Sequence, residues 1–177
     1  MIEHTISAGK ANAIGAIVAI LFFPLMVWPF YSLWHDSINL MLEVHSLQGN
    51  IFWLLLIMLF AMILHELIHG LAWLILTKGN YKGIKFGLIW KYMTPYCHYQ
   101  KPVFIWQYRI ALLAPGLLIG IIPYGFSLFV GSFPSLLFST LFTFGAIGDF
   151  IILWLIRHEK SNTKVQDHPD KIGCIIL

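Results

Sequence analysis

Two histidines four residues apart, with a glutamate beside the first, form the run His65-Glu66-Leu67-Ile68-His69-Gly70. On a helix, residues at i and i+4 share a face, so His65 and His69 can offer two imidazoles to one tetrahedral Zn2+. Glu66 projects next to them, where a carboxylate can take a proton from a water at the metal. The flanking residues, Phe60 to Leu64 and Leu71 to Leu74, are apolar. Ionisable groups inside a segment able to cross a bilayer are costly, and by default they mark function. A catalytic zinc takes three protein ligands and keeps one position open. Asp149 is the only acid in the last apolar segment and is the candidate third ligand. Cys97 and His98 are the rivals, set in a polar connector. His35, His45, His158 and His168 read as solvated loop residues.

The elements that must position these groups are membrane spans. Of 177 residues, 59% are hydrophobic and 11% charged, against about a quarter charged in soluble domains. The pattern predicts an all-α membrane protein, a single integral domain over 1–177 built as a four-transmembrane-helix bundle. The spans fall at about 11–34, 51–76, 110–130 and 134–156. Trp28, Tyr31 and Trp34 would make an aromatic belt at the outer interface. The second span is longer than a hydrocarbon core of about 30 Å requires, so it tilts or extends beyond it. Pro115-Gly116 and Pro123 would bend the third span. Gly131-Ser132-Phe133 is a link short enough to make spans three and four an antiparallel hairpin.

Depth can be counted along these spans. His69 lies seven residues before Leu76 and Asp149 seven before Ile156, each about 10 Å from the same end of its helix. Gly145 and Gly148 would let the helices close around the metal. Between spans two and three, Ile84, Phe86, Leu88, Trp90 and Tyr92 alternate with Lys85, Gly87, Ile89 and Lys91. That period of two predicts a short strand-like interfacial loop, broken by Thr94-Pro95, beside which an extended substrate could add as a strand.

Charge sets the orientation. The 77–109 connector carries Lys78, Lys82, Lys85, Lys91, Lys101 and Arg109, six of the eleven basic residues, and no acid. The 157–177 tail is basic too, whereas the 35–49 connector holds Asp36 and Glu43 and no Lys or Arg. The positive-inside rule then puts the long connector, the tail and both termini in the cytoplasm. Arg109 would snorkel to the inner headgroups. Cys97 and Cys174 are expected to be free thiols on the reducing side. The residues from Met1 to Lys10 are polar and show no cleavable signal peptide. No basic solvated face offers a nucleic-acid surface.

These residues resemble a family of small bacterial multi-pass membrane proteins described as zincin peptidases. The likeness runs through His-Glu-Leu-Ile-His-Gly at 65–70, Pro-Tyr-Cys-His at 95–98, Gly-Ala-Ile-Gly-Asp at 145–149 and Asp-His-Pro at 167–169. More distantly the layout is similar to the site-2 proteases, with HExxH on one helix, a strand-bearing loop after it and an aspartate two helices on. The resemblance implies a zinc site and a place in the bacterial cell membrane.

The expected function is a zinc-dependent membrane metallopeptidase. It would cut peptide bonds in or near membrane-embedded segments, with Glu66 as general base and His65, His69 and Asp149 on Zn2+. Its partners would be the lipid bilayer and a peptide substrate. The alternatives are a metal carrier or sensor without hydrolysis, and a protease-like scaffold without catalysis. No physical role follows from the sequence for Asp167-His168-Pro169.

Overall fold

The computed structural model describes residues 2–37, 42, 51–90, 94–168 and 171–177. Glu43, His45, Lys91, Tyr92 and Pro169 lie outside them. The chain runs β1 (Ile2–Ile6), α1 (Ala8–Trp34), α2 (Ile51–Leu76), β2 (Ile84–Ile89), β3 (Thr94–Tyr99) and β4 (Val103–Phe104). It continues as α3 (Ile105–Pro115), a π-helical turn (Gly116–Ile121), α4 (Ile122–Val130), α5 (Phe133–Gly145), α6 (Ile147–Leu155), β5 (Lys164–Asp167) and β6 (Ile172–Ile176).

Among the described residues, four helical stretches are long and apolar enough to cross a membrane: Ala8–Trp34, Ile51–Leu76, Ile105–Val130 and Phe133–Leu155. Their large side chains, such as Phe22, Leu25, Phe60 and Phe129, are exposed, as a lipid-facing surface requires. Ser7 caps α1, its Oγ accepting from the Lys10 N–H at 3.4 Å. The link between spans three and four turns at Gly131 with φ +70°, where a side chain would be strained and would also meet the Trp34 ring. Ser132 then caps α5 through its hydroxyl. Trp34 is committed here, its indole donating to the Leu128 carbonyl at 2.9 Å, whereas Trp28 and Tyr31 are exposed.

The fold is not all-α. Among the described residues, six strands form two sheets, a β2-β3 pair and a four-stranded sheet in the order β1-β6-β5-β4. The connector does carry a strand, but Thr94-Pro95 opens β3 instead of ending it: Ile84 pairs with Tyr99 and Leu88 with Pro95. The two ends of the chain, read above as polar flanks, are strands paired to each other, with Ile2 opposite Ile176 and Ile6 opposite Ile172. Both termini therefore lie together at one end of the helices. Span four also breaks, at Ala146 (φ −80°, ψ 4°), which starts a new helix and puts Asp149 in its first turn.

The best-packed core is not between the spans. It lies where the helix ends meet the sheets, among Trp73, Tyr99, Ile105, Tyr108, Ile156, Val165 and Cys174. Trp73 stacks on Tyr99 with ring centroids 5.2 Å apart. Arg109 is part of this joint and does not simply reach for headgroups. Its Nη2 donates to the carbonyls of Ile156 (2.8 Å), Arg157 (3.2 Å) and Glu159 (2.9 Å), closing the C-terminal end of span four. Gly173 has φ +131°, and a Cβ there would strike the His4 carbonyl and the Thr5 Cα, both backbone atoms. Gly173→Ala is therefore expected to destabilise the protein by about 3 kcal/mol. A thermal melt of the detergent-solubilised variant that matched wild type would refute this.

Candidate metal centre

α2 places His65, His69 and Trp73 on one face at successive i+4 positions. Trp73 anchors that face in the core, and the two imidazoles, with ring centroids 4.9 Å apart and nearly perpendicular, point toward α6. Asp149 Oδ2 stands 3.2 Å from His65 Nε2 and 3.4 Å from His69 Nε2. Among the described residues these three form the group able to hold a metal, with ligand atoms all within 4.8 Å of one another. The counts of depth along spans two and four thus led to side chains that do meet. Cys97 and His98 are not in the group.

The donor set fits a cation. His69 Nδ1 lies 2.9 Å from the Ala111 carbonyl, which can only accept, so Nδ1 carries the ring proton. Nε2 of the neutral ring then aims a lone pair at a carboxylate oxygen, an arrangement that repels unless a positive charge sits between them. Ligands held about 2.0–2.1 Å from a tetrahedral zinc stand about 3.3 Å apart, close to the distances above. Asp149 gains further support from the partial positive charge at the start of α6.

The group lies on a cavity of about 960 Å³. Glu66 lines it, with the Cys97 backbone beside its carboxylate. Gly145 and Gly148 line it as well, and a Cβ on either would meet nothing within 4 Å. These glycines do not bring helices together, as expected from the sequence; they leave room beside Asp149. Gly70 is the close-packed one, because the Phe86 ring of β2 fills the place of its missing side chain. Burial pushes the Cys97 thiol up to about 12, so it stays protonated near neutral pH and is a poor ligand. Cys174 is likewise buried and free.

Asp167, which the sequence left without a role, proves to be part of the cavity wall. Its Oδ2 accepts the Tyr99 N–H at 2.7 Å and its Oδ1 accepts the Tyr108 hydroxyl. With the Tyr99 N–H held by Asp167 and no N–H at Pro95, the site-facing edge of β3 has no free donor at 95 or 99. Strand addition of a substrate along that edge, expected above, lacks those donors. Burial raises the Asp167 carboxyl, opposed by the nearby His98 and by its two hydrogen bonds. Asp167→Ala leaves two buried donors without acceptors and is expected to cost about 3 kcal/mol; Asp167→Asn, which keeps a carbonyl oxygen, should cost about 1 kcal/mol. Equal melting temperatures for the two variants would contradict this.

His168 is not a solvated loop residue. It is buried, its Nδ1 accepts the Lys171 N–H at 2.9 Å, and its Nε2 lies 3.6 Å from Glu3. His35 and His158 are exposed, as expected. No local pattern in the sequence ties Asp167 to β3, since the contact spans 68 residues.

No curated protein and no solved structure matches the chain. A family model described as "Putative zincin peptidase" matches residues 58–164, more than half of the chain and the stretch that holds both histidines, Glu66 and Asp149. The chain belongs to that family of zincin peptidases.

Proposed function

We propose that this protein is a zinc-dependent membrane metallopeptidase of the HExxH type, cutting peptide bonds in or beside membrane-embedded segments from the cytoplasmic side. The observation that carries the reading is the convergence of His65, His69 and Asp149 from two spans onto one point, with Glu66 beside them on an open cavity. These three residues would hold the zinc, and Glu66 is the group left to move protons. Bound there, zinc would supply Lewis-acid chemistry, polarising the scissile carbonyl and acidifying a water. Glu66 takes the proton from the attacking water and passes it to the departing amine.

The location of the site supports the membrane part of the proposal. His69 and Asp149 are within about 10 Å of the helix ends that carry the sheets, by helical rise. The cavity is walled there by polar and backbone groups of β1, β3 and β6, including Thr5, His98 and Gly173. A peptide bond can thus reach the site from the same end as the two termini. The basic connector and tail assign that end to the cytoplasm by the positive-inside rule.

The test is hydrolysis by the detergent-purified protein, stripped with a chelator and then reloaded with zinc. The substrates are labelled peptides copied from transmembrane segments, beside soluble peptides of equal length. Cleavage of the membrane peptides by the zinc form alone is the expected result. One bound zinc without cleavage would move the reading to a metal carrier or sensor. No bound zinc would leave a scaffold.

A further inference from the structure

In an α-helix the carbonyl of residue 111 takes the N–H of residue 115. Residue 115 is proline and has no N–H. Ala111 is fully buried, so its carbonyl is sealed from water in the second turn of span three without its regular donor. His69 Nδ1 meets that carbonyl at 2.9 Å. Past Pro115 the backbone leaves α geometry. The Gly116 N–H turns to the Leu113 carbonyl, and Gly116–Ile121 is π-helical, closing with the Ile122 N–H on the Leu117 carbonyl. Departures of this kind concentrate at functional sites.

We propose that Pro115 is a positioning residue for the metal centre: by withholding an N–H it reserves the Ala111 carbonyl for His69, and so fixes the tautomer and the ring plane of that ligand. The carbonyl accepts only, so the neutral ring keeps its proton on Nδ1 and turns the Nε2 lone pair toward Asp149 and His65. Orienting bonds on the far nitrogen of a ligating histidine also raise its basicity toward a metal. The proposal deepens the zinc-site reading and rests on His69 as a ligand. It explains why a proline, unfavourable within a helix, stands four residues past the carbonyl that His69 uses.

The experiment compares wild type, Pro115→Ala and Pro123→Ala, all full-length in detergent. Zinc affinity is measured by competition with a chromophoric chelator, metal-free stability by thermal melting, and the His69 tautomer by 15N NMR of labelled histidine. Pro115→Ala restores a competing N–H, so its zinc affinity is expected to fall about 10–100-fold, while its metal-free melting temperature does not fall. A residue with a purely structural role would move both in the same direction. Pro123→Ala, altering the other proline of the span, should leave affinity unchanged. Lactic acid installed at position 115 has alanine's side chain and an ester with no N–H, and should restore wild-type affinity.

Wild-type affinity in Pro115→Ala, or an ester form as weak as the alanine form, would overturn the proposal. So would an Nε2-protonated His69 in metal-free wild type, a measurement that holds even if Pro115→Ala does not fold. If wild type binds no zinc, the zinc-site reading fails separately, and a shift of the His69 tautomer in Pro115→Ala still decides the role of Pro115.

Discussion

Glu66→Gln is expected to lower peptide hydrolysis by about 10²–10⁴-fold while the protein keeps its full complement of zinc. Glutamine has the shape of glutamate, so the packing of β3 against α2 is kept. His65, His69 and Asp149 are untouched by the change. What is lost is a basic oxygen able to receive a proton at the metal. The measurement pairs cleavage of a labelled transmembrane peptide with elemental analysis of the same sample. A variant as active as wild type would remove Glu66 from the chemistry. If neither form cleaved and both carried zinc, a carrier or sensor would be the better account.

Asp149→Ala is expected to take bound zinc from about one per chain to nearly none, with the fold preserved. Asp149 is the sole anionic member of the group and its Oδ2 lies within 3.4 Å of Nε2 of both imidazoles. Two neutral imidazoles alone make a weak site, since structural and catalytic zinc sites use at least three protein ligands. His65→Ala should behave alike. Zinc retained in Asp149→Ala would point to another ligand on the cavity wall. His98 would be that candidate, because the Cys97 thiol is held protonated.

The second span was legible, since a run of 26 residues that is apolar but for His65, Glu66, His69 and Gly70 leaves little choice, and the helix covers Ile51–Leu76 among the described residues. The third begins five residues earlier than hydropathy suggests. Its first turn carries Gln107, which is helical because it bridges helix ends, donating to the Leu76 carbonyl at 2.6 Å and accepting from the Phe104 N–H at 2.9 Å. The break at Ala146 leaves no mark in an apolar run that continues through it. The His65–His69–Asp149 set could be found because helical spacing and depth are local counts made twice.

The four-stranded sheet could not be found that way. Ile2 to Ile6 and Ile172 to Ile176 each have strand-forming residues, yet neither segment carries a trace of the other. Periodicity reports which face is apolar, and it is silent about which segment will cover that face. Asp167 shows the same limit: its partners, Tyr99 and Tyr108, became apparent only when β5 was set beside β3 and α3. The glycines at 145 and 148 were misread because a missing side chain can serve contact or emptiness, and sequence does not tell them apart.

The pairing of β1 with β6 also dictates an order of events during synthesis. β1 is made before the four apolar helices and its partner residues 172–176 after them, so β1 waits while all four are synthesised. Contacts so far apart in sequence form late. Ile6, Ser7 and Ala8 on one side, and Ile172 and Gly173 on the other, are the wall those strands give to the cavity. The chamber around His65, His69 and Asp149 is therefore completed only after translation has passed residue 176, and a nascent chain holds these three side chains before it has walls to put around them.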